Sequence, residues 1–460
     1  MRTDLQSRVE HGLLEAVPLA GWPDLHHELR DRMSGYGVPG CALAVIEDGS
    51  VVWAAGYGTT ALGGPPVTTA TLFQVASISK VVNALGVLNL AERGLVDLDA
   101  DVNLQLRSWQ LPRDDPWSDE PVTPRRLLSH TAGTSTSGFE GYRPGSVIPT
   151  VVEILDGAPV SASEAVRVVT RPGAEYHYSG GGSTILQVLV EDVTGLPYSA
   201  AMKELVLEPL GMTASHFQHP IDRQRYTNAA HGHIVTGEEL PGGANILPTL
   251  AAGGLWASVD DLVLLVKGIF AMRDGTSSPA VLSPSATTEM LAPVPNSPHG
   301  LGPEIIGMGP GRRFRHNGTN RGFCSQIEGL LSKDSGVVIA TNGNGGNTLI
   351  GKVLRAIDEV HEWSMFDRKP IAVRELNPNQ LARLAGHYNG PFSMTAEVSW
   401  DGRRLFRLTP YGKAFLIPVG EDRFLDSETG STMLVEELAG GTVIKILVEG
   451  NEILRYTKAL

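Results

Sequence analysis

The stretch at residues 73–80 and the apolar run after it constrain this chain more than any other feature. The run from residue 81 to 91 is mainly apolar and stops near Gly94, which predicts a helix inside a core. Ser77 and Lys80 stand at its start, and their spacing of three places both side chains on one helix face. A serine becomes a nucleophile beside a base, and a buried lysine can be that base because burial disfavours the charged ammonium. The alternative is a helix-capping serine followed by a lysine that faces solvent.

The composition is that of an ordinary globular protein, and it excludes one class of partner. The 460 residues are 42% hydrophobic and 19% charged, which predicts two or three domains with a substantial core. The net charge of −13 argues against a nucleic-acid partner, because such a partner requires a basic face. Cys41 and Cys324 lie in apolar runs and are expected to be buried free thiols.

The N-terminal residues contain no basic region followed by an apolar core, and no apolar run has the length of a membrane span. We therefore expect a cytoplasmic protein with no membrane partner. A homo-oligomer is compatible with the sequence, which says nothing more about assembly.

Strand-like segments lie near both ends of the first 360 residues, with helical segments between them. Hairpin turns are expected at Asp48-Gly49 and at residues 334–336. The predicted strands are 40–46, 51–58, 313–316, 322–331 and 336–341. Helices are expected at 1–36, 124–128, 162–169, 184–193, 199–207, 259–269 and 348–363. This order predicts an α+β fold: one antiparallel sheet built from both chain ends and flanked by helices, with a helical insertion at about 95–250.

The last part of the chain has a different pattern. Residues 366–378 contain Lys369-Pro370 and Asn377-Pro378 and are expected to be a linker between a domain at 1–365 and a domain at 379–460. A short helix is expected at 381–384. Strand-length runs then follow at short spacing, at residues 395–400, 403–408, 415–419, 423–426, 433–438, 443–448 and 453–456. They predict an all-β unit that closes into a small barrel.

Two further stretches carry side chains that suit acyl transfer. Tyr178 precedes a glycine run at 180–182, and a tyrosine near a serine–lysine pair can relay protons. His316 lies in a strand that ends in small residues, and it could donate a hydrogen bond to substrate or hold the tyrosine. The simpler alternatives are a tyrosine packed in a turn and a histidine in a surface loop.

The same strand end could supply backbone donors. The N–H groups of Ser77 and Thr319 could form an oxyanion hole, with Asn317 and Gly318 laid beside the substrate. Four nearby arginines could attract a substrate carboxylate, or they could be solvated strand ends: Arg312, Arg313, Arg315 and Arg321.

Taken together, these stretches resemble the serine β-lactamase and penicillin-binding-protein superfamily in its class C-like branch, whose pattern is S-x-x-K, Y-x-N, then K-T-G or H-x-G. Four further stretches also resemble parts of the family sequence, at residues 37–40, 127–133, 208–212 and 252–255. The resemblance covers about residues 30–360 and implies that Ser77 is the nucleophile and that Lys80 with Tyr178 is the base. The C-terminal unit resembles the lipocalin-like β domains appended to some relatives.

Two departures from the family pattern argue against a β-lactamase. Gly180 stands where the family often has asparagine, and His316 stands where β-lactamases and transpeptidases have lysine. The resemblance then implies a serine hydrolase of an ester, amide or peptide, including D-configured ones, that needs no metal or organic cofactor. Two other hypotheses remain open: an acyltransferase in small-molecule biosynthesis, and a ligand-binding protein without turnover.

Overall fold

The computed structural model describes residues 2–21, 23–277, 280–390, 395–402, 405–409, 412–438, 441–448 and 451–459. Contacts within the chain divide it into two units. One unit combines residues 1–38 with 344–460, and the other comprises residues 39–343. Within the described residues, no helix combines the length and the apolarity that crossing a membrane would require.

The first 38 residues contain less helix than the sequence analysis predicted. Their elements are α1 (Arg2–Glu10), β1 (Leu13–Leu14), β2 (His26–His27) and α2 (Leu29–Gly35). The two short strands pair with each other, so the continuous helical lead-in expected over residues 1–36 is wrong in its middle. Pro18 and Pro23 lie between the strands, and proline interrupts a helix because it lacks a backbone donor.

The unit at residues 39–343 contains a six-stranded antiparallel sheet and most of the helices. Its elements in chain order are β3 (Gly40–Glu47), β4 (Ser50–Gly58), β5 (Phe73–Gln74), α3 (Ile78–Glu92), α4 (Pro124–Leu128), α5 (Val151–Asp156), α6 (Gly180–Thr194), α7 (Tyr198–Met202), α8 (Leu250–Gly253), β6 (Trp256–Ala257), α9 (Val259–Arg273), α10 (Pro284–Met290), β7 (Glu304–Ile306), β8 (Arg313–Asn320), β9 (Phe323–Leu330) and β10 (Ser335–Thr341).

The strand order confirms that the sheet is built from both ends of this unit. The order is β4-β3-β10-β9-β8-β7, so the early strand β3 pairs directly with the late strand β10. The turn between β3 and β4 is the predicted hairpin, and Asp48 and Gly49 both have positive φ, as a tight two-residue turn requires. Helices α3 to α8 lie between β5 and β6, which agrees with the predicted helical middle.

Helix α3 is buried from Ile78 to Leu90, and most of its buried side chains are apolar. It packs against β8 and β9 and against α6 and α8. Its surroundings form one continuous apolar core that also includes residues of α9 and of the sheet. The helix that begins at Ser77 therefore lies at the centre of this unit.

The helix predicted at residues 162–169 is absent, and this segment is extended. Val166 and Val168 are buried, whereas Arg167 between them is only partly buried. The carbonyl of Arg167 accepts a hydrogen bond from Ser135 N–H at 2.8 Å, and Val168 forms a bridge with Thr134. This alternation has the period of a strand, so the segment pairs with the loop beside it.

The remaining elements belong to the unit that includes residues 344–460. They are α11 (Gly346–His361), α12 (Pro378–Ala382), β11 (Gly386–Asn389), β12 (Thr395–Trp400), β13 (Leu405–Thr409), β14 (Gly412–Pro418), β15 (Arg423–Asp426), β16 (Thr432–Leu438), β17 (Gly441–Val448) and β18 (Asn451–Lys458). Strands β11 to β18 form a closed barrel in sequential order, and β11 closes it by pairing with β18.

The barrel confirms the predicted all-β unit and adds one strand to it. The sequence analysis named seven strands and missed β11, which is only four residues long. Of the predicted strand at 403–408, residues 403 and 404 lie outside the described residues. The barrel interior is apolar and includes Tyr388, Phe424 and Met433, all fully buried. The predicted domain boundary at 366–378 stays a prediction.

Candidate active site

Ser77 lies at a sharp turn immediately before α3. Ala76 has a φ of 47°, a left-handed conformation that is strained for a residue with a side chain. The hydroxyl of Ser79 holds this turn, because it donates to the Ala76 carbonyl at 2.5 Å and accepts from Leu255 N–H at 2.9 Å. Ser77 itself is half-buried. The turn thus exposes the Ser77 hydroxyl at the edge of a rigid core helix.

Lys80 contacts Ser77 directly, as the sequence spacing predicted. Its Nζ donates to Ser77 Oγ at 3.0 Å and to the Ala252 carbonyl at 2.6 Å. The side chain is buried, and none of the ion pairs found among the described residues includes it. The Nζ also lies 5.0 Å from the centre of the Tyr178 ring. Ser77, Lys80 and Tyr178 therefore come together in one place.

Tyr178 is positioned by the start of α6 and by His130. The N-cap of α6 is Ser179, whose hydroxyl accepts from Gly182 N–H at 2.8 Å and donates to the Ser135 carbonyl at 2.7 Å. The Ser179 N–H donates to His130 Nδ1 at 3.2 Å, and the His130 ring lies 4.4 Å from the Tyr178 ring. The backbone that follows Tyr178 and the His130 ring that lies beside the Tyr178 ring are therefore both held in place.

His316 is buried near Tyr178 and not in a surface loop. Its ring centre is 6.4 Å from that of Tyr178. Burial, with the nearby His299 and Lys80, holds the pKa of His316 well below 6.5, so the ring is neutral. Nδ1 donates to the Asn317 carbonyl at 2.7 Å, which leaves Nε2 as an acceptor. Among the described residues, no group donates to this Nε2. The geometry therefore differs from the donor role that the sequence analysis considered for His316.

Three aromatic residues at this site were not predicted: His130, Tyr176 and His299. His299 lies 4.9 Å from His130 and 5.7 Å from His316, measured between ring centres, and Tyr176 stacks on it at 5.6 Å. Burial lowers the pKa of His299 as well. His130 belongs to a landmark of the family resemblance and could have been proposed from it. His299 lies in a loop with no sequence signal. Within the described part of the chain, no cluster has the geometry to hold a metal ion.

Strand β8 brings Asn317, Gly318 and Thr319 to the Ser77 turn. A Cβ on Gly318 would lie 2.2 Å from the Val75 carbonyl oxygen, so only glycine permits this close approach. Strand β7 pairs with residues 313–315 of β8, whereas residues 316–320 have a strand partner only on the β9 side among the described strands. Thr319 is the residue after Gly318, at which β8 comes closest to the Ser77 turn. The oxyanion hole formed by the Ser77 and Thr319 N–H groups stays a prediction.

The arginines beside His316 are mostly occupied by other partners. Arg313 Nε is 3.1 Å from a buried carboxylate oxygen of Glu328, and Arg315 Nε is 2.6 Å from Glu304. Arg312 donates to a backbone carbonyl at 2.6 Å. These three side chains are thus neither a ready carboxylate pocket nor simply solvated, and Arg321 is the one arginine of the four that is exposed.

Gly180 explains how the site accommodates the loss of the family's asparagine. A Cβ at this position would lie 3.1 Å from the Ser137 carbonyl oxygen and 3.3 Å from the Phe139 ring. The loop at residues 137–139 therefore crowds the space that an asparagine side chain would enter. In this chain the loop at residues 137–139 therefore fills the space beside Gly180.

The fold and the Ser77–Lys80 contact place the chain in the class of α+β proteins with a serine–lysine site. Within that class it belongs to the beta-lactamase family, whose sequence pattern matches residues 25–362.

Among curated proteins, the chain is similar to Esterase EstB of Burkholderia gladioli, with 32% identity over 210 residues that cover 43% of this chain and 52% of the esterase. It is also similar to a D-aminopeptidase of Gluconobacter oxydans, with 27% identity over 321 residues, 66% of this chain and 56% of that protein. The chain thus spans about half the length of these curated relatives.

Solved structures show the same fold. The octameric penicillin-binding protein homologue from Pyrococcus abyssi is 23% identical, with a TM-score of 0.64 over 94% of this chain and 98% of that chain. The D-amino acid amidase from Ochrobactrum anthropi is 23% identical, with a TM-score of 0.58 over 78% of this chain and 99% of that chain. The longer match to the first structure extends over the barrel.

Proposed function

We propose that this protein is a serine hydrolase that cleaves an ester or an amide through an acyl-enzyme on Ser77. The observation that carries the proposal is the 3.0 Å contact between Lys80 Nζ and Ser77 Oγ in a buried setting. Among the described residues Lys80 has no carboxylate partner; it is held by one carbonyl and directed at a serine, and so it is arranged as a base and not as half of an ion pair.

The reaction has two steps: Ser77 is acylated, and the acyl-enzyme is then hydrolysed. Ser77 Oγ attacks the substrate carbonyl carbon while its single proton passes to Lys80 and from there to Tyr178. The N–H groups of Ser77 and Thr319 stabilise the oxyanion. The C–O or C–N bond of the substrate then breaks, and Tyr178 returns the proton to the leaving group. Water attacks the acyl-enzyme in the same way, and the proton it loses restores the Ser77 hydroxyl.

The surroundings favour a substrate with no carboxylate beside His316. A β-lactamase or transpeptidase would have a lysine there, whereas the His316 ring is neutral and offers a lone pair. Arg313 and Arg315 already bind Glu328 and Glu304. The part of β8 just beyond its pairing with β7, at residues 316–318, also suits an extended amide backbone laid alongside it. The names of two relatives, an esterase and a D-aminopeptidase, agree with these substrate classes.

A substrate panel tests this proposal. We expect turnover of p-nitrophenyl esters or of D- or L-aminoacyl amides, and much slower turnover of nitrocefin. A Tyr178→Phe variant should lose about 10²–10⁴-fold in kcat/KM, because proton transfer contributes that much. Rapid nitrocefin hydrolysis with inert esters and amides would contradict the proposal.

Acceptor trapping separates hydrolysis from acyl transfer. The enzyme is incubated with its best ester in the presence of a primary amine or an alcohol, and the products are quantified by chromatography. We expect the free acid to remain the main product. A product that is mainly the amide or the new ester would make the protein an acyltransferase and leave the role of Ser77 intact. An acyl-enzyme that accumulates without turnover would instead favour the ligand-binding hypothesis.

A further inference from the structure

The side chain of Asn320, at the end of β8, connects segments of the backbone that meet at the candidate active site. Its Nδ2 donates to Gln74 Oε1 at 3.0 Å and to the Gly253 carbonyl at 3.1 Å. Asn320 directly follows Thr319 in β8, and Gln74 lies in β5, three residues before Ser77. One amide group therefore links the end of β8 to the segment that leads into the Ser77 turn.

The contact with Gly253 connects the same amide to the support of Lys80. Gly253 is the last residue of α8, and the carbonyl of the preceding Ala252 accepts from Lys80 Nζ at 2.6 Å. The next residue, Gly254, forms a bridge with Ala76 in the turn before α3. A shift of this segment would therefore move both the group that holds Lys80 and the turn that carries the serine.

The orientation of the Gln74 amide is determined by its second contact. Gln74 is fully buried, and its Nε2 donates to the Asn245 carbonyl at 2.8 Å. Because a carbonyl oxygen can only accept, the amide presents its nitrogen to Asn245 and its oxygen to Asn320. Asn245 in turn donates from Nδ2 to the Glu140 carbonyl at 2.8 Å, directly after the loop that crowds Gly180. The buried amide is thus used at both ends, and turning it over would leave two oxygens facing each other.

We propose that Asn320 and Gln74 are positioning residues for the reaction at Ser77. This inference rests on the proposed function, in which the N–H groups of Ser77 and Thr319 stabilise the oxyanion. The hydrogen bond between the two amides fixes the end of β8, and with it the Thr319 N–H, relative to the Ser77 turn. Both side chains act through the backbone that carries these donors. A displacement of about 1 Å at such a place can cost about 10²-fold in rate.

Asn320→Ala tests the role of the linking amide by steady-state kinetics with the best substrate of the panel. We expect kcat to fall about 10²-fold and KM to change little, because the variant binds the substrate but misplaces a donor that the transition state needs. Asn103→Ala is the matched control. Asn103 is also half-buried, and its side chain also makes two hydrogen bonds, both to the backbone of Leu111 and both 2.8 Å long. A kcat in Asn320→Ala equal to that of the control, or a change of KM alone, would overturn the proposal.

Gln74→Glu gives a pH-dependent readout within a single protein. When the new carboxyl is protonated, its O–H donates to Asn245 and its carbonyl accepts from Asn320, as the amide does. When it is ionised, it has no proton to donate to the Asn245 carbonyl. Burial raises the pKa of a carboxyl group, so this change is expected between about pH 5 and about pH 9. The kcat of the variant, divided by that of the wild type, should be highest at the acidic end and fall as the pH rises.

The control for this pH dependence is Gln110→Glu, at an exposed glutamine. Its carboxyl titrates near about 4.3, below the range measured, so its kcat relative to the wild type should stay constant. Each kcat is corrected for the folded fraction, which circular dichroism gives at the same pH. A ratio that does not change with pH in Gln74→Glu would overturn the proposal.

Ser77→Ala separates this inference from the proposed function. Full activity in Ser77→Ala would overturn both. An inactive Ser77→Ala together with wild-type kcat in Asn320→Ala would overturn this inference alone and leave the proposed function standing.

Discussion

At the scale of single residues, the central feature is a buried lysine that is surrounded by neutral groups. Lys80 Nζ contacts the Ala252 carbonyl at 2.6 Å and Ser77 Oγ at 3.0 Å. His130, His299 and His316 lie around the same space, and burial lowers the pKa of each of them. Because the three rings are neutral, they add no positive charge that would compete with Lys80 for a proton or a substrate group.

Replacing Lys80 with methionine tests its role as base. The side chain keeps its length and apolar packing but loses the nitrogen that contacts Ser77 Oγ. We expect the rate of Ser77 acylation by a fluorophosphonate to fall about 10²–10⁴-fold. Lys369→Met, at a side chain that is 80% exposed, is the matched control and should react like the wild type. An unchanged acylation rate in Lys80→Met would show that another group is the base.

Replacing His130 with asparagine tests the neutral histidine cluster through stability. Because folding lowers the pKa of His130 from 6.5, the unfolded chain takes up the proton more readily. The contribution of this neutral ring to stability is therefore complete above pH 6.5 and is lost as the pH falls below that value. Asparagine keeps an acceptor for the Ser179 N–H and tolerates the φ of 56° at this position.

Urea unfolding at about pH 7.5 and about pH 5 gives the readout. On acidification, His130→Asn should lose less stability than the wild type, by about 2 kcal/mol. Equal losses in the two proteins would mean that His130 titrates normally in the folded state.

At the scale of secondary-structure elements, β8 forms one wall of the site by passing very close to the Ser77 turn. Gly318 makes this approach, and Ser325 Oγ of the neighbouring strand β9 donates to the same Val75 carbonyl at 2.9 Å. The turn is also held from the other side, where Ala76 forms a bridge with Gly254. The nucleophile is thus held between two backbone segments and not by its own helix alone.

Gly318→Ala tests whether this approach is needed for activity. The added Cβ would lie 2.2 Å from the Val75 oxygen and 2.5 Å from Ser325 Oγ, so β8 must move away. A displacement of about 1 Å at a reacting geometry can cost about 10²-fold in rate, and we expect at least that loss in kcat/KM. Gly311→Ala has no neighbouring atom within 4 Å of the new Cβ and should keep full activity. Similar activity in both variants would contradict this account of β8.

The sequence predicted some elements well because local signals determine them. The Asp48-Gly49 hairpin follows from its turn residues, the helix predicted at 259–269 follows from its apolar spacing and begins just after the N-cap Ser258, and the contact of Ser77 with Lys80 follows from helical spacing. Contacts between distant segments leave no such signal. His299 reaches His130 from a loop more than 160 residues away along the chain, so its place in the site required the structure.

At the scale of the whole molecule, the unit that contains the barrel also contains the N-terminal segment. Lys352 of α11 is fully buried and joins the two parts: its Nζ is 2.6 Å from Glu15 and 3.1 Å from Glu428, which follows β15. Tyr36 donates to the same Glu428 carboxylate at 2.5 Å. The cytoplasmic location expected from the sequence stays a prediction, and so does the homo-oligomer with which the sequence is compatible.

Lys352→Met tests whether this charge cluster stabilises the unit. Removing the lysine leaves two largely buried carboxylates without their shared partner, which typically costs about 3–5 kcal/mol. We expect urea unfolding, followed by tryptophan fluorescence, to show a loss of that size. Lys369→Met should change stability little, because exposed ion pairs contribute little. A loss below about 1 kcal/mol in Lys352→Met would show that the cluster is not a stabilising contact.

The most direct test of the central claim is the intact mass of the protein after treatment with a fluorophosphonate. The account predicts a single adduct on the wild type, located by peptide mapping at Ser77, and no adduct on a folded Ser77→Ala variant. Labelling that persists in Ser77→Ala, or an adduct that maps to another serine, would contradict the assignment of Ser77 as the nucleophile.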